Sequence, residues 1–171
     1  MAATVTLKGQ PLSLAGSPLS VGTIAPQVCL VRRDNQEIWV GGATGKPQIL
    51  ITVPSLDTPV CAAEARKFNE ILASMSEKIM ATVISMDLPF AQNRYCDSYQ
   101  VQGITIASDY RYRDMEKYGV VIAEGSLRGI LARSVFVIDA HGRITYVELV
   151  PEIAQEPNYE AALEAVRAVI A

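Results

Sequence analysis

The chain has 171 residues, half of them hydrophobic, and a formal net charge of -3. This length suits one domain with a substantial core and is short for two, so we expect a single domain over residues 1–171. The acidic balance, with no basic run longer than Arg32-Arg33, argues against nucleic acid or an anionic membrane as a stable partner. We interpret the two arginines as a solvated turn.

The N-terminal segment has no basic start followed by an apolar region, and no apolar run approaches the roughly 20 residues that span a bilayer. The three cysteines are too few for a disulfide framework in a chain of this length. A bridge between two of them would therefore be a working redox pair. We expect a soluble, unexported protein of a reducing compartment, the cytoplasm.

Two short β-rich runs predict a hairpin near the N-terminus. They are residues 5–7 and 12–14, with Gly and Pro between them. We expect this hairpin to form an N-terminal extension over residues 1–22 and to add to the main sheet.

A second strand pair is predicted at residues 28–30 and 38–40, before a glycine-containing loop at 41–45. Cys29 lies among apolar neighbours in the first of these strands. We interpret it as a core residue, and the alternative is a third oxidisable thiol.

The stretch around Cys61 reads as the junction between a buried strand, residues 49–53, and a helix. Thr58 suits the N-cap, and Pro59 suits the first helical position, where its missing N–H is not needed. Cys61 is therefore expected in the first helical turn, where free N–H groups and the helix dipole favour a thiolate. The residues alone leave two interpretations open, a reactive nucleophile and a small buried hydrophobe.

The next strand is predicted at residues 81–86, which makes a parallel βαβ unit with the preceding strand and helix. Residues 90–99 can form a short helix that carries Cys96. A further strand is predicted at 104–107, and residues 109–118 read as a loop and a short helix that ends at glycine.

Two β-rich runs, residues 131–139 and 143–149, surround a turn with glycine and predict an antiparallel hairpin. A C-terminal helix opens at Pro157-Asn158. Its apolar stripe consists of Ala162, Leu163, Val166, Val169 and Ile170. The order βαβ followed by ββα predicts an α/β, thioredoxin-like fold with a central mixed sheet flanked by helices.

Three residues at the strand–helix junction also match a known pattern. Pro54, Thr58 and Cys61 fit the P-x-x-x-T-x-x-C motif of peroxiredoxins. The longer string PSLDTPVC, followed by RKFN, resembles the thiol peroxidase (Tpx) subgroup of that family. So does DLPFAQ at residues 87–92, followed by Cys96, and the resemblance covers nearly the full length.

The resemblance implies a thiol-dependent peroxidase of the atypical two-cysteine type. Cys61 would attack hydrogen peroxide or an alkyl or lipid hydroperoxide and become a sulfenic acid. Cys96 would then resolve it to an intrachain Cys61–Cys96 disulfide, and thioredoxin would restore both thiols. The family further implies a homodimer that needs no cofactor.

Arg133 is unusual at the start of an apolar strand, because arginine rarely buries its charge unpaired. Taken alone, it could be a strand-end arginine that reaches solvent. The string LARSVFVID resembles the peroxiredoxin segment whose arginine contacts the sulfur and the peroxide, so the resemblance assigns that role to Arg133, with Arg128 as a fallback. By the same resemblance Pro54 and Thr58 help to bind the substrate, and Thr58 would both cap the helix and turn its hydroxyl towards the sulfur or peroxide.

Other kinds of site find little support in the sequence. The single histidine, His141 in a predicted turn, cannot build a metal cluster, and there is no phosphate-binding glycine loop. A thiol-disulfide oxidoreductase usually carries Cys-x-x-Cys, which is absent. The remaining alternative is a redox-sensing or partner-binding module without turnover. For the enzyme, we expect oxidation to loosen residues 57–64 and 88–99.

Overall fold

The computed structural model describes residues 2–171. Its strands are β1 Thr4–Leu7, β2 Gln10–Ser13, β3 Val28–Arg32, β4 Glu37–Val40, β5 Gln48–Thr52, β6 Met80–Ser85, β7 Thr105–Ser108, β8 Ser134–Ile138 and β9 Ile144–Leu149. Its α-helices are α1 Pro59–Leu72, α2 Pro89–Tyr99 and α3 Tyr159–Ile170. Short 3-10 helices cover Ala73–Met75 and Asp114–Tyr118.

Seven strands form one mixed sheet in the order β4-β3-β7-β6-β5-β8-β9. Strands β5, β6 and β7 are parallel neighbours, and all the other pairs are antiparallel. The predicted βαβ unit is confirmed as β5-α1-β6, and the predicted ββα unit as β8-β9-α3. The predicted thioredoxin-like fold is therefore correct, with a parallel half followed by an antiparallel half.

The central strands bury both faces, so their sequences are continuously apolar rather than alternating. On β5, Ile49 and Ile51 face one core together with Phe68 of α1. Leu50 faces a second core on the opposite side. Helices α1 and α3 pack on the first face. Helix α1 follows β5 in the chain, so its first turn lies near the carboxyl end of that strand.

The N-terminal hairpin is confirmed, but the expectation that it adds to the main sheet is wrong. Strands β1 and β2 form a separate two-stranded sheet, joined by a turn at Lys8 and Gly9, both with positive φ. The hairpin bonds instead to the segment after β9. Thr6 donates from its N–H to the Pro151 carbonyl (2.7 Å) and accepts at its own carbonyl from the Ile153 N–H (2.8 Å).

The start of α3 follows the sequence closely. The Asn158 side chain caps the helix by accepting from the Ala161 N–H at 3.0 Å.

The solvated turn predicted at Arg32-Arg33 is only partly correct, because Arg33 also contacts α2 through Asp97 at 3.5 Å. His141 lies exposed in a turn, as expected. No helix within residues 2–171 combines the length and apolar character needed to cross a membrane.

Candidate active site

Cys61 lies where the strand and the helix meet, as predicted. It occupies the first turn of α1, and its side chain is fully buried in the core beneath the sheet face that α1 covers. Cys29 and Cys96 are also buried, and all three thiols are free. The predicted core position of Cys29 in β3 is thus confirmed.

The side chain of Arg133 reaches this cysteine from the residue that precedes β8. Its Nη2 lies 3.3 Å from Cys61 Sγ. Only 1% of Arg133 is exposed, so the alternative of a strand-end arginine reaching solvent is wrong. The fallback residue, Arg128, lies exposed in the segment before β8.

Glu64 is the buried counter-ion of this arginine, and sequence reasoning missed it. Arg133 Nη1 donates to Glu64 Oε2 at 2.5 Å, and Glu64 is fully buried. It lies three residues after Cys61, so both side chains project from the same side of α1. That spacing of a carboxylate behind a cysteine on a buried helix face was the signal available in the sequence.

Burial and ion pairing have opposite effects on the pKa values of Glu64 and Arg133. Burial raises the pKa of Glu64 to about 7, although Arg133 opposes the shift. Burial also acts to lower the pKa of Arg133, but Glu64 and Cys61 outweigh it and keep the guanidinium charged. Glu64 Oε1 has no hydrogen-bond partner among residues 2–171. Arg133 thus lies between Glu64 and Cys61 and contacts both side chains.

A backbone carbonyl fixes the far side of the guanidinium. Ile153 accepts from Arg133 Nε at 3.2 Å and from Nη2 at 2.7 Å. The Arg133 carbonyl in turn accepts from the Val150 N–H at 3.0 Å. With three partners of different kinds, the fork of Arg133 has one orientation.

The strands beside Arg133 are joined by buried hydroxyl groups. Thr52 at the end of β5 donates to the Ala132 carbonyl at 2.8 Å, and its hydroxyl also contacts that of Ser134. These bonds lie on either side of Arg133 in sequence. They fix the segment that carries it against the strand that leads to Cys61.

The prediction that the Thr58 side chain caps α1 is wrong. Thr58 occupies the N-cap position with extended backbone, but its side chain accepts no hydrogen bond from the first turn. Its hydroxyl donates instead to the Ser55 carbonyl at 2.9 Å, so the rotamer is set by the preceding loop. The hydroxyl oxygen keeps its acceptor capacity. Pro54 lies buried at the start of this loop.

A carboxylate ties the cysteine loop to the start of α2. Asp87 accepts from the Ser55 hydroxyl at 2.7 Å, from the Leu56 N–H at 2.8 Å and from the Ser85 hydroxyl at 2.7 Å. The cysteine loop and the β6–α2 junction are therefore one hydrogen-bonded unit. Asp87 is a second residue that sequence reasoning did not single out for its contacts.

Cys96 lies in the last part of α2 in a different setting. Burial raises the pKa of its thiol, and the nearby Arg33 opposes that shift. The Arg33 side chain is 40% exposed, and its carbonyl accepts from Asn93 Nδ2 at 2.7 Å. Cys96 therefore has a cation beside it, but one that water can screen.

A groove of about 850 Å³ separates the cysteine loop from α2. Its walls combine the loop residue Thr58 and the helix residue Ala62 with Phe90, Tyr95 and Arg94 of α2. Phe90 is 73% exposed. The groove thus opens beside the first turn of α1 and has both apolar and cationic walls.

Comparison with known proteins agrees with these features. The Redoxin family matches residues 20–163. A thiol peroxidase from Aquifex aeolicus is 58% identical over 170 residues, which cover 99% of this chain and 100% of the relative. A thiol peroxidase from Campylobacter jejuni is 48% identical over 90% of this chain and 87% of its own length.

The crystal structure of a peroxiredoxin-like protein from Aquifex aeolicus superimposes with a TM-score of 0.96, at 58% identity, over 99% of this chain and 98% of that one. The protein described here belongs to the redoxin family. Within it, the chain falls in the thiol peroxidase subgroup of the peroxiredoxins and has the activity of a thiol-dependent peroxidase. Its substrate is accordingly a hydroperoxide, and its reductant is a thiol.

Proposed function

We propose that Cys61 is the peroxidatic nucleophile and Cys96 the resolving cysteine of an intrachain disulfide cycle. The observation that carries this assignment is the contact of Arg133 Nη2 with Cys61 Sγ at 3.3 Å inside a buried site. A fixed cation at a cysteine sulfur favours the thiolate, which is the attacking form. Neither Cys29 nor Cys96 has a buried arginine at hydrogen-bond distance within residues 2–171.

In the first step, the Cys61 thiolate attacks the terminal oxygen of the hydroperoxide. An S–O bond forms, the O–O bond breaks, and the leaving oxygen takes a proton to become water or an alcohol. Negative charge moves from sulfur onto the two oxygens, and Arg133 is placed to stabilise it throughout because its fork does not reorient. The free acceptor capacity of the Thr58 hydroxyl suits the peroxide O–H, and Pro54 shapes the loop behind it.

In the second step, Cys96 attacks the Cys61 sulfenic acid. The S–S bond forms as the S–O bond breaks, and hydroxide leaves as water. A dithiol such as thioredoxin then reduces the disulfide by exchange. We infer thioredoxin from the resemblance to thiol peroxidases, and a homodimer of the reducing cytoplasm on the same ground.

Both hydrogen peroxide and organic hydroperoxides are proposed as substrates. The groove beside Thr58 and Ala62 is larger than hydrogen peroxide requires, and Phe90 and Tyr95 give it apolar walls. An alkyl chain attached to the leaving oxygen of the hydroperoxide would lie there. Steady-state kinetics with hydrogen peroxide and a series of longer alkyl hydroperoxides would measure this preference as a falling KM.

The assignment of the cysteines is tested by adding one equivalent of hydroperoxide to the reduced protein and mapping peptides under non-reducing conditions. We expect a Cys61–Cys96 link with Cys29 still a free thiol. Cys61→Ser should abolish peroxide consumption, and Cys96→Ser should leave a sulfenic acid on Cys61. A Cys61–Cys29 link, or an unreactive Cys61, would contradict the proposal. Coupling to thioredoxin and its reductase tests the reductant separately.

A further inference from the structure

One hydrogen bond joins the two helices at the residues next to their cysteines. The Tyr95 hydroxyl donates to the Ala62 carbonyl at 2.8 Å. Tyr95 precedes Cys96 in α2, and Ala62 follows Cys61 in α1. The bond therefore connects the immediate neighbours of both thiols.

Ring contacts extend this connection along the helices. The rings of Tyr95 and Tyr99 lie 4.8 Å apart between centroids, and the Arg66 guanidinium lies 5.5 Å from the Tyr99 ring centroid. Tyr95 itself is buried in the same core cluster as Cys61 and Cys96. Its hydroxyl has a carbonyl partner there, as a buried phenol requires.

Disulfide formation requires the sulfurs of Cys61 and Cys96 to move together. A disulfide needs a sulfur–sulfur distance of about 2.05 Å and closely spaced alpha carbons. In the reduced protein both cysteines are free, each inside a regular helix, and the Cys61 sulfur contacts Arg133. Movement of Cys61 from Arg133 towards Cys96 would also displace Ala62, the next residue, and so strain its hydrogen bond with Tyr95.

We propose that Tyr95 is a positioning residue that sets how long oxidised Cys61 stays beside Arg133 before Cys96 reaches it. This inference rests on the proposed function of both cysteines. The waiting sulfenic acid has two fates. Either Cys96 displaces hydroxide from it to give the disulfide, or a second hydroperoxide transfers an oxygen to the sulfur, giving sulfinic acid and an alcohol or water.

The Tyr95 hydroxyl favours the second fate, because its bond to Ala62 stabilises the arrangement of α1 and α2 in which Cys61 contacts Arg133 and the two thiols are not bonded. Removing the hydroxyl should shift the partition towards the disulfide. We expect a decrease of about fivefold in the ratio of sulfinic acid to disulfide, which is the factor that one hydrogen bond of ordinary net strength carries.

The test compares Tyr95→Phe with Tyr118→Phe. Tyr118 is also buried, and its hydroxyl donates to the Pro26 carbonyl at 2.7 Å in the second core, away from both helices. Both variants lose a buried phenol–carbonyl hydrogen bond. Reduced proteins are exposed to a series of hydroperoxide concentrations, and sulfenic acid, disulfide and sulfinic acid on Cys61 are followed by mass spectrometry.

We expect Tyr95→Phe to give less sulfinic acid than the wild type at every concentration, and Tyr118→Phe to match the wild type. Equal ratios in Tyr95→Phe and the wild type, or equal shifts in both variants, would overturn the inference while leaving the cysteine cycle intact. A wild-type protein that forms no sulfenic acid on Cys61 would overturn the proposed function itself.

A measurement on the wild type covers the case in which Tyr95→Phe does not fold. Amide hydrogen exchange is compared between the dithiol and disulfide forms. The inference requires residues 62–66 and 95–99 to lose protection together on oxidation, because one bond joins them. Unchanged protection in either segment would overturn it.

Discussion

Cys61 and Cys96 are both buried thiols on helices, yet their surroundings differ in one respect. Cys61 has a guanidinium that is itself buried and fixed by Glu64 and the Ile153 carbonyl. Cys96 has Arg33, whose side chain is 40% exposed. The charge of a buried cation is screened much less by water and salt than that of an exposed one. The difference suits the roles proposed above, in which Cys61 reacts first with the hydroperoxide and Cys96 reacts afterwards with the oxidised Cys61.

The strongest test of this comparison removes the buried cation. Arg133→Met should lower the rate of Cys61 oxidation about 100- to 1,000-fold, which is the usual effect of deleting a fixed donor from a site of developing negative charge. Stopped-flow measurement of the single-turnover reaction with hydroperoxide reports this rate. Above pH 7 the same change should cost about 3–5 kcal/mol of unfolding free energy, because the ionised Glu64 carboxylate loses its partner and must stay buried unpaired or take up a proton.

The double variant Arg133→Met with Glu64→Gln separates these two effects. It should recover part of the lost stability, since no uncompensated charge remains in the core. The oxidation rate should not recover. If the double variant regained the rate, the loss in Arg133→Met would be a folding defect, and the catalytic half of the comparison would fail.

The second test concerns the partner of that cation. Because the pKa of Glu64 is raised from 4.5 to about 7, the folded protein keeps a proton that the unfolded chain has lost between those values. The stabilising contribution is complete below pH 4.5 and is lost as the pH rises through about 7. Glu64→Gln should therefore remove a decrease of up to about 3 kcal/mol in unfolding free energy across this window.

Chemical denaturation of the wild type and of Glu64→Gln at several pH values measures that slope. Glu160→Gln is the matched control, because Glu160 is exposed on α3. Asp109, whose pKa burial raises to about 6, titrates in the same window but is present in all three proteins. Parallel curves for the wild type and Glu64→Gln would show that Glu64 is ionised throughout, and that the Arg133 charge is always shared.

The smallest expected effect is at the exposed cation. Arg33→Gln should slow disulfide formation about twofold, since an exposed ion contributes little. The effect should disappear at high salt. Arg32→Gln is the control, because Arg32 pairs with Asp34 on the surface. A tenfold decrease in the rate of disulfide formation that persists at high salt would show that Arg33 acts as strongly as a buried cation. The contrast between the surroundings of the two thiols would then be wrong.

Most of the fold could be predicted because its signals are local. The apolar runs of β5 and β8, the proline and threonine before α1, and the asparagine before α3 each act within a few residues. The docking of the N-terminal hairpin could not be predicted in this way. Its partners are the carbonyl of Pro151 and the N–H of Ile153, and backbone groups carry no sequence signature.

In the candidate site, too, local sequence signals could be recognised and long-range contacts could not. Cys61, Thr58 and Arg133 could be selected from a motif and from an unusual charge in an apolar strand. Their contacts could not, because the Thr58 rotamer depends on the Ser55 carbonyl, and the Glu64 partnership depends on the packing of α1 against the start of β8. The hydrogen bond of Tyr95 could not be predicted for a similar reason, since its partner is a backbone carbonyl in another helix.

The hairpin at the N-terminus supports the segment that orients Arg133, the arginine proposed to act on Cys61. Strand β1 bonds to both Pro151 and Ile153, and the Glu152 carboxylate between them accepts from the Lys8 N–H at 2.8 Å. The Ile153 carbonyl is the group that orients Arg133. A shortened chain that kept every strand of the main sheet but lost the hairpin would leave this carbonyl unsupported. The support of the Arg133 side chain therefore extends to the hairpin of residues 4–13.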